Sequence, residues 1–182
     1  PKDVFVSWLP LYHDMGLIGA WLGSLTFGMP LIIMSPLAFL ARPQRWLWAI
    51  HKYKGTISGG PNFAYDACSS RIGEKDIKGL DLSSWRIAFN GAEPVRPNTL
   101  DKFSHRFKAC GFKREALMPV YGLAENSVGL AFPPPGRGPK IDQIDRTILI
   151  NKGQAVPIDL NAAATDAGLL VALLVHQAAL VP

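Results

Sequence analysis

The sequence predicts an α/β fold in which a parallel sheet is flanked by helices. Strand-like and helical segments alternate about five times over the first 132 residues. The strand-like segments are short and apolar on both faces, which is typical of a parallel sheet covered by helices. Hydrophobic residues make up 48% of the 182 residues and charged residues 18%. This composition disfavours disorder over most of the chain, and 17 Gly and 15 Pro without a period exclude a collagen-like chain.

The first half of the sheet is predicted from apolar runs that end at prolines. A helix is expected between the first two strands, with Asp14 as its N-cap. A further helix begins at Pro43, whose fixed φ suits a first helical turn. The predicted elements are a strand over 3–9, a helix over 14–27, a strand over 30–35 and a helix over 43–53.

The second half repeats the alternation. A short strand over 55–58 runs into Gly59-Gly60-Pro61, and Asn62 is expected to cap the next helix, which continues to residue 71. Gly111 is expected to close the last helix. The remaining predicted elements are a strand over 85–90, a helix over 97–110 and a strand over 117–121.

The sequence divides into three parts. Residues 1–132 form a partial α/β subdomain, residues 133–160 form a Pro/Gly-rich linker with short strands, and residues 161–182 form a tail rich in Ala, Leu and Val whose nature stays open. The most apolar stretch, 167–181, has 15 residues and includes His176 and Gln177. It is too short and too polar to span a bilayer, so we expect no transmembrane segment.

Charge and cysteine content narrow the possible partners. The net charge of +5 comes from scattered basic residues without interleaved aromatics, so nucleic acid is not an expected partner. A solvated basic surface and attraction to an anionic nucleotide both remain open. Cys68 and Cys110 fit reduced, buried thiols of a cytoplasmic protein, with one disulfide as the alternative. The four histidines lack metal-binding spacing.

Candidate site residues follow the predicted strands, because ligands of parallel sheets bind beyond the carboxyl ends of the strands. The familiar phosphate-loop, dinucleotide and Gly-x-Ser-x-Gly signatures are absent from the sequence. The residues after the strands are instead small, polar or aromatic. They are Tyr12-His13-Asp14, Gly59-Gly60-Pro61, Asn90-Gly91-Ala92-Glu93 and Tyr121-Gly122-Leu123-Ala124-Glu125.

Each candidate also has an ordinary structural interpretation. An aromatic ring at Tyr121 and a carboxylate at Glu125 suit ATP and Mg²⁺, but a core tyrosine and a solvated glutamate are commoner. His13 is either a donor to a phosphate or carboxylate oxygen or a structural histidine. Gly91 permits a close backbone approach to a flat ligand, and Glu93 is equally suited to capping the following helix. Gly59-Gly60 indicates a narrow channel or a tight turn.

Four ordered segments together resemble a known family. They are Leu-Pro-Leu-Tyr-His-Asp-Met-Gly-Leu at 9–17, Gly-Pro-Asn-Phe-Ala-Tyr at 60–65, Asn-Gly-Ala-Glu-Pro-Val at 90–95 and Tyr-Gly-Leu-Ala-Glu-Asn at 121–126. Their order and spacing, over about two thirds of the chain, resemble the adenylate-forming superfamily of acyl-CoA synthetases, adenylation domains and luciferases. The His-Asp-Met-Gly and Pro-Asn-Phe forms resemble the fatty acyl-AMP ligase branch.

The resemblance implies roles that spacing alone does not. Tyr121 would stack on adenine beside Gly122, and Gly91, Ala92 and Glu93 would line the adenine pocket. His13 and Glu125 would be the catalytic residues, His13 near the acyl carboxylate and α-phosphate and Glu125 on Mg²⁺. The residues that would border the acyl tunnel are Gly60, Pro61, Asn62 and Phe63. Ala124 stands where many relatives have a phosphate-binding Thr.

The implied reaction converts a fatty acid and ATP, with Mg²⁺, to acyl-AMP and pyrophosphate, with an acyl carrier protein or a polyketide synthase as the usual acceptor. Alternatives are an acyl-CoA synthetase and a non-catalytic nucleotide-binding or interaction remnant. The family's phosphate loop lies upstream of its His motif, and its ribose-binding Asp, hinge and catalytic Lys are not identifiable after Phe132. We therefore expect a central fragment of the large N-terminal domain, cytoplasmic, inactive alone and with exposed apolar surface.

Overall fold

The computed structural model describes residues 3–158 and the backbone of residues 169–174. Its main feature is a five-stranded sheet in which all neighbouring strands run parallel. The strands are β1 (Phe5–Ser7), β2 (Leu31–Ile33), β3 (Ile57–Gly60), β4 (Ile87–Asn90) and β5 (Leu117–Pro119), in the spatial order β2-β1-β3-β4-β5. The predicted fold class is confirmed.

Helices connect successive strands of this sheet. After β1 comes a π-helix (Met15–Leu22) that continues directly into α1 (Gly23–Thr26). The other helices of the described chain are α2 (Pro36–Ala41), α3 (Gln44–Tyr53), α4 (Asn62–Arg71), α5 (Pro97–Phe107) and α6 (Arg146–Lys152). Short 3₁₀ turns lie at Glu74–Ile77, Lys108–Cys110, Arg114–Ala116 and Ala124–Asn126.

Most helix boundaries follow the expected chemistry. The Asp14 carboxylate accepts a hydrogen bond from the Met15 amide at 2.7 Å, as an N-cap does. The 3₁₀ turn after α5 ends at Gly111, whose φ of 81° is natural only for glycine. Asn62 is the exception: it is the first residue of α4 and not its cap, because its side chain bonds to the neighbouring β4–α5 connection. Helices α2 and α6 are not among the predicted elements.

One face of the sheet packs against helices α2 to α5. Val6, Ala88 and Leu117 point to this face and belong to the buried core. The Trp46 indole N–H donates to Ser58 of β3 at 2.7 Å, which satisfies both groups in the interior. Aromatic rings contact one another across this core, as Trp46 does with Trp85. Burial in the same core raises the pKa of the Cys68 thiol. The largest fully buried side chains include Trp46, Trp85, Tyr65, Phe39, Phe103 and Phe107.

The opposite face carries a second apolar row, formed by Phe5, Ile57, Ile87, Phe89 and Met118. The π-helix and the segment 121–132 lie beside this row. Several large apolar side chains of the π-helix, α1, β2 and α2 are exposed, among them Leu22, Leu25, Ile33 and Leu37. The expected exposed apolar surface is therefore present.

Two further strands form a separate antiparallel sheet. Strand β6 (Lys140–Asp145) pairs with β7 (Leu169–Leu174), so part of the predicted tail is a strand. The rest of the tail, 161–168 and 175–182, lies outside the described residues, and the three-part division stays a prediction. Cys68 and Cys110 are free and buried, in agreement with the prediction. Within the described residues, no helix combines the length and hydrophobicity of a membrane span.

Candidate functional site

The strand order places a crevice at the carboxyl ends of β1 and β3. β2, the next strand in sequence after β1, lies on one side of β1, and β3 to β5 lie on the other. The connections leaving β1 and β3 therefore diverge at this point, which is where open parallel sheets bind ligands.

A cavity of about 460 Å³ lies against the second apolar face near this crevice. It brings together four of the predicted site residues: His13, Ala92, Tyr121 and Gly122. An apolar floor with a few polar groups at its rim is typical of a small-molecule site. The floor consists of Phe5, Ile57, Ile87, Phe89 and Met118, and the walls include Asp14, Met15, Gly19, Val120, Val128, Gly129 and Phe132.

Tyr121 stands at the base of a folded-back segment on one side of the cavity. Its amide donates to the Ala131 carbonyl at 3.0 Å, and the Ala131 amide donates back to the Tyr121 carbonyl at 2.9 Å. The residue is 58% exposed and borders the cavity, so it is accessible to a ligand there. This placement suits stacking on a flat heterocycle.

The fold-back depends on Gly122 and on a strained valine. A Cβ atom at Gly122 would overlap the carbonyl oxygen of Val128. Val128 itself has a φ of 75°, which is rare for a β-branched residue. Backbone strain of this kind persists where the surrounding structure holds it, and it is frequent at ligand sites.

His13 lies on the other side of the cavity, in the turn between β1 and the π-helix. A Cβ at Gly16 would overlap the Pro10 carbonyl, so glycine is required for the close approach of this turn. The Nδ1 atom of His13 lies 2.7 Å from an Asp14 carboxylate oxygen. The side chain is about half exposed, which leaves the ring accessible to a ligand in the cavity.

The loop after β4 lies next to the cavity at Ala92. Gly91 is buried, and a Cβ there would lie 2.8 Å from the Val120 carbonyl oxygen. Ala92 has a left-handed backbone with φ of 67°. The Glu93 carboxylate accepts a hydrogen bond from the Phe63 amide at 2.6 Å, and α5 has no side-chain cap. Its cap-like contact is therefore with α4 and not with the helix that follows it.

The segment Gly60 to Phe63 does not line this cavity. The space beside Gly60 is filled by the Trp8 ring, 2.6 Å from where a Cβ would stand, and the space beside Gly59 is filled by Phe89. Phe63 contacts Trp8 edge-on at 5.9 Å between ring centroids. This segment therefore lies against the helix-side aromatic core, on the other side of the sheet from the cavity floor.

Glu125 lies on the 3₁₀ turn Ala124–Asn126, outside the lining of the cavity. Its side chain is exposed, and no hydrogen bond or ion pair joins it to the described residues. Mg²⁺ commonly takes one or two carboxylates and fills its remaining positions with water and substrate phosphates. One accessible carboxylate fits that pattern. No group of three His, Cys, Asp or Glu side chains within residues 3–158 is arranged to hold an ion without a substrate.

The apolar floor of the cavity is the part of the site that the sequence did not reveal. Ile87 and Phe89 alternate with Ala88 and Asn90, so a period of two was present in β4. Because Ala88 on one face and Ile87 and Phe89 on the other are all apolar, the pattern does not say which face packs against helices and which is left for a ligand.

Comparison with known proteins gives a consistent picture. Residues 1–157 match the family described as AMP-binding enzyme. The chain is 46% identical over 144 residues to medium-chain-fatty-acid–[acyl-carrier-protein] ligase TtuA of Teredinibacter turnerae, an alignment covering 79% of this chain and 22% of TtuA. It is 49% identical over 123 residues to the similarly named ligase JamA of Moorena producens, covering 68% of this chain and 21% of JamA.

A solved structure has the same architecture. The fatty acyl-adenylate ligase from Legionella pneumophila, in complex with acyl adenylate and pyrophosphate, superposes with a TM-score of 0.87 at 43% sequence identity. The match covers 94% of this chain and 29% of that one. The chain thus spans about a fifth of the curated relatives and under a third of the solved ligase.

Proposed function

Because this chain belongs to the AMP-binding enzyme family, we propose that its cavity is the adenylate site of a fatty acid adenylating enzyme. The observation that carries the proposal is the convergence of His13, Ala92 and Tyr121 on one cavity, although they lie up to 108 residues apart in sequence. Similarity over 94% of the chain to a ligase solved with acyl adenylate supports it.

The proposed reaction joins a fatty carboxylate to ATP. A carboxylate oxygen attacks the α-phosphorus of ATP, a new phosphorus–oxygen bond forms, and the bond to the β-phosphate bridging oxygen breaks to release pyrophosphate. Orientation and charge stabilisation are the main catalytic contributions in phosphoryl chemistry. The products are acyl-AMP and pyrophosphate.

We assign the residues of the cavity as follows. The exposed Tyr121 ring stacks on adenine, Gly122 and Gly91 keep the backbone close to it, and Ala92 presents main-chain atoms to the cavity. His13 donates to the acyl carboxylate or the α-phosphate from the opposite wall. The nearby apolar floor favours an alkyl chain over a polar acid.

Glu125 is the proposed Mg²⁺ ligand, since its carboxylate is exposed and unoccupied by other described residues. When bound, the ion would supply positive charge to the phosphate oxygens. The acyl carrier protein is the proposed acceptor, because TtuA and JamA are named as ligases for it. Cytoplasmic location is proposed on the strength of two free buried thiols.

The assignment of Tyr121 is tested by calorimetry with ATP and with an acyl-sulfamoyl adenosine, a stable acyl-AMP analogue. Replacing Tyr121 with Ala should weaken binding by about 1–3 kcal/mol, the usual range for a base stacked on an aromatic ring. Tyr53→Ala is the matched control, because Tyr53 is also a partly exposed tyrosine but lies on α3, outside the cavity lining. Equal affinity of Tyr121→Ala and wild type would show that the adenine assignment is wrong.

A pyrophosphate-release assay on the 182-residue protein separates the remaining possibilities. We expect binding without turnover, because the chain spans only part of its relatives. Steady pyrophosphate release would contradict the proposed inactivity of the isolated chain. Absence of binding to both ligands would favour the interaction-remnant alternative, whereas thioester formation with CoA by the whole enzyme would favour an acyl-CoA synthetase.

A further inference from the structure

A hydrogen bond joins the two connections that leave the carboxyl ends of β3 and β4. Gly60 and Asn90 are register partners at the ends of β3 and β4, so the connections that leave them start side by side. The Glu93 carboxylate reaches across and accepts from the Phe63 amide at 2.6 Å. Helix α4 has no side-chain cap of its own. The Glu93 carboxylate therefore supplies a hydrogen-bond acceptor and a negative charge to the free amides of its first turn.

A second set of hydrogen bonds joins the same two connections, and all of them involve the Asn62 side chain. The Asn62 side-chain oxygen accepts from the Arg96 amide at 3.0 Å and lies 3.4 Å from the Asn90 side-chain nitrogen. The Asn62 side-chain nitrogen donates to the Thr99 hydroxyl at 3.3 Å. Asn62 is 6% exposed, so these bonds are sheltered from water.

The residue between these contacts is the strained Ala92. Its φ of 67° is a conformation that alanine rarely adopts. A left-handed alanine persists only where neighbouring contacts determine the path of the chain. Glu93 holds the chain directly after it, and Asn62 holds Asn90 before it and Arg96 beyond it.

We propose that Glu93 and Asn62 are positioning residues that hold the left-handed Ala92 turn in place for the adenylate, without touching the ligand themselves. Neither side chain lines the cavity, whereas Ala92 does. The proposal rests on the proposed function for its binding consequence only. It gives Glu93 and Asn62 a role different from the pocket-wall and tunnel-border roles that the family resemblance implied.

The first arm of the test needs no ligand. Amide hydrogen exchange measured by NMR should show faster exchange at Phe63 in Glu93→Ala, by about tenfold, because its acceptor is gone. Glu93→Gln keeps a side-chain oxygen in the same place and should retain most of the protection. Unchanged exchange at Phe63 in Glu93→Ala would overturn the proposal whatever the ligand results.

The second arm uses a rescue that a general loss of stability would not give. Glu93→Ala should weaken binding of acyl-sulfamoyl adenosine by about tenfold, the scale of releasing one strained residue. Adding Ala92→Gly in that background should restore most of the affinity, since glycine adopts positive φ freely. Glu115→Ala, another exposed glutamate in a short connection, serves as the control and should bind like wild type.

We call the hydrogen bonds of Glu93 and Asn62 the brace. The outcomes distinguish failure of the brace from failure of the proposed function. If wild type binds no adenylate, the proposed function fails for this chain, and the exchange arm still decides whether the brace exists. If wild type binds and Glu93→Ala binds equally well, Glu93 does not position the turn. If Ala92→Gly leaves the double variant as weak as Glu93→Ala, the strained turn is not what the brace controls.

Discussion

The two faces of the central sheet are built from similar residues but differ in how they are covered. On the helix-covered face, Val6, Ala88 and Leu117 are almost wholly buried under aromatic rings. On the other face, Ile57, Ile87 and Phe89 are only partly buried and form the floor of a cavity. The difference shows that apolar residues identify a strand as interior to the fold. Whether a face of that strand becomes core or binding site depends on whether helices cover it.

The polar groups differ between the faces in the same way. On the helix-covered face they are consumed internally, as in the bond from Trp46 to Ser58. Around the cavity the ring of Tyr121 and the imidazole of His13 remain accessible. Groups that bind a ligand must stay accessible after folding, and here they lie at the strand ends.

The largest expected effect comes from a substitution on the helix-covered face. Trp46→Ala should lower the free energy of unfolding by about 3–5 kcal/mol, the usual cost of removing a large buried aromatic side chain. Phe89→Ala on the cavity face should cost clearly less, because its ring is already partly exposed. Urea unfolding followed by tryptophan fluorescence and circular dichroism measures both. Similar losses for the two variants would contradict the distinction between the faces.

A second change sharpens the comparison within the cavity. Gly122→Ala should reduce affinity for acyl-sulfamoyl adenosine by about tenfold or more, because its Cβ would displace Val128 from the cavity wall. Gly23→Ala is the control: Gly23 lies outside the cavity lining, and a Cβ there would make only an ordinary contact with the Ile18 carbonyl oxygen, at 3.5 Å. Calorimetry should show near-wild-type affinity for the control. A weak Gly23→Ala variant with an unaffected Gly122→Ala variant would contradict our account of the wall.

The smallest effect concerns the amino ends of the strands, away from the cavity. Hydrogen bonds from Arg86 and then Thr56 hold the pKa of Asp3 below its ordinary value. A lowered folded-state pKa adds stability above the unfolded value, near pH 4, and that stability is lost as pH falls through the folded value. The pair is partly exposed, so we expect less than about 1 kcal/mol.

Urea unfolding at pH 6 and pH 3 tests this expectation. Wild type should lose more stability than Asp3→Asn over this interval, because the variant has no carboxyl to protonate. Identical pH dependence of the two proteins would show that the contact with Arg86 contributes nothing to folding.

Much of the fold follows from local signals in the sequence. Prolines and glycines bound the strands and helices at positions close to those observed, as at Pro30 before β2 and Gly111 after the turn that follows α5. Asp14 was recognisable as a cap from its place before an apolar run. The position of Tyr121 and His13 beside a cavity was foreseeable, because ligands of parallel sheets bind beyond the carboxyl ends of the strands. Their roles toward a ligand remain predictions.

The rest depends on contacts between distant residues. Glu93 and Phe63 are 30 positions apart, and nothing near either residue shows that they bond. Asn62 has the residue type of a cap, but the neighbouring loop offered its side chain a buried set of partners. The acyl-tunnel and metal roles of the Gly60 segment and Glu125 remain predictions.

The two glycines that end β3 make the sheet unusually thin at its centre. Side-chain space on the cavity face of Gly59 is taken by Phe89, and on the opposite face of Gly60 it is taken by Trp8. The Phe89 and Trp8 rings thus take the side-chain space of two adjacent glycines of β3, on opposite faces of the sheet. Because Trp8 also stacks on Phe39 in a close-packed core, a larger side chain at either position would be expected to shift β3 and, with it, the floor of the cavity.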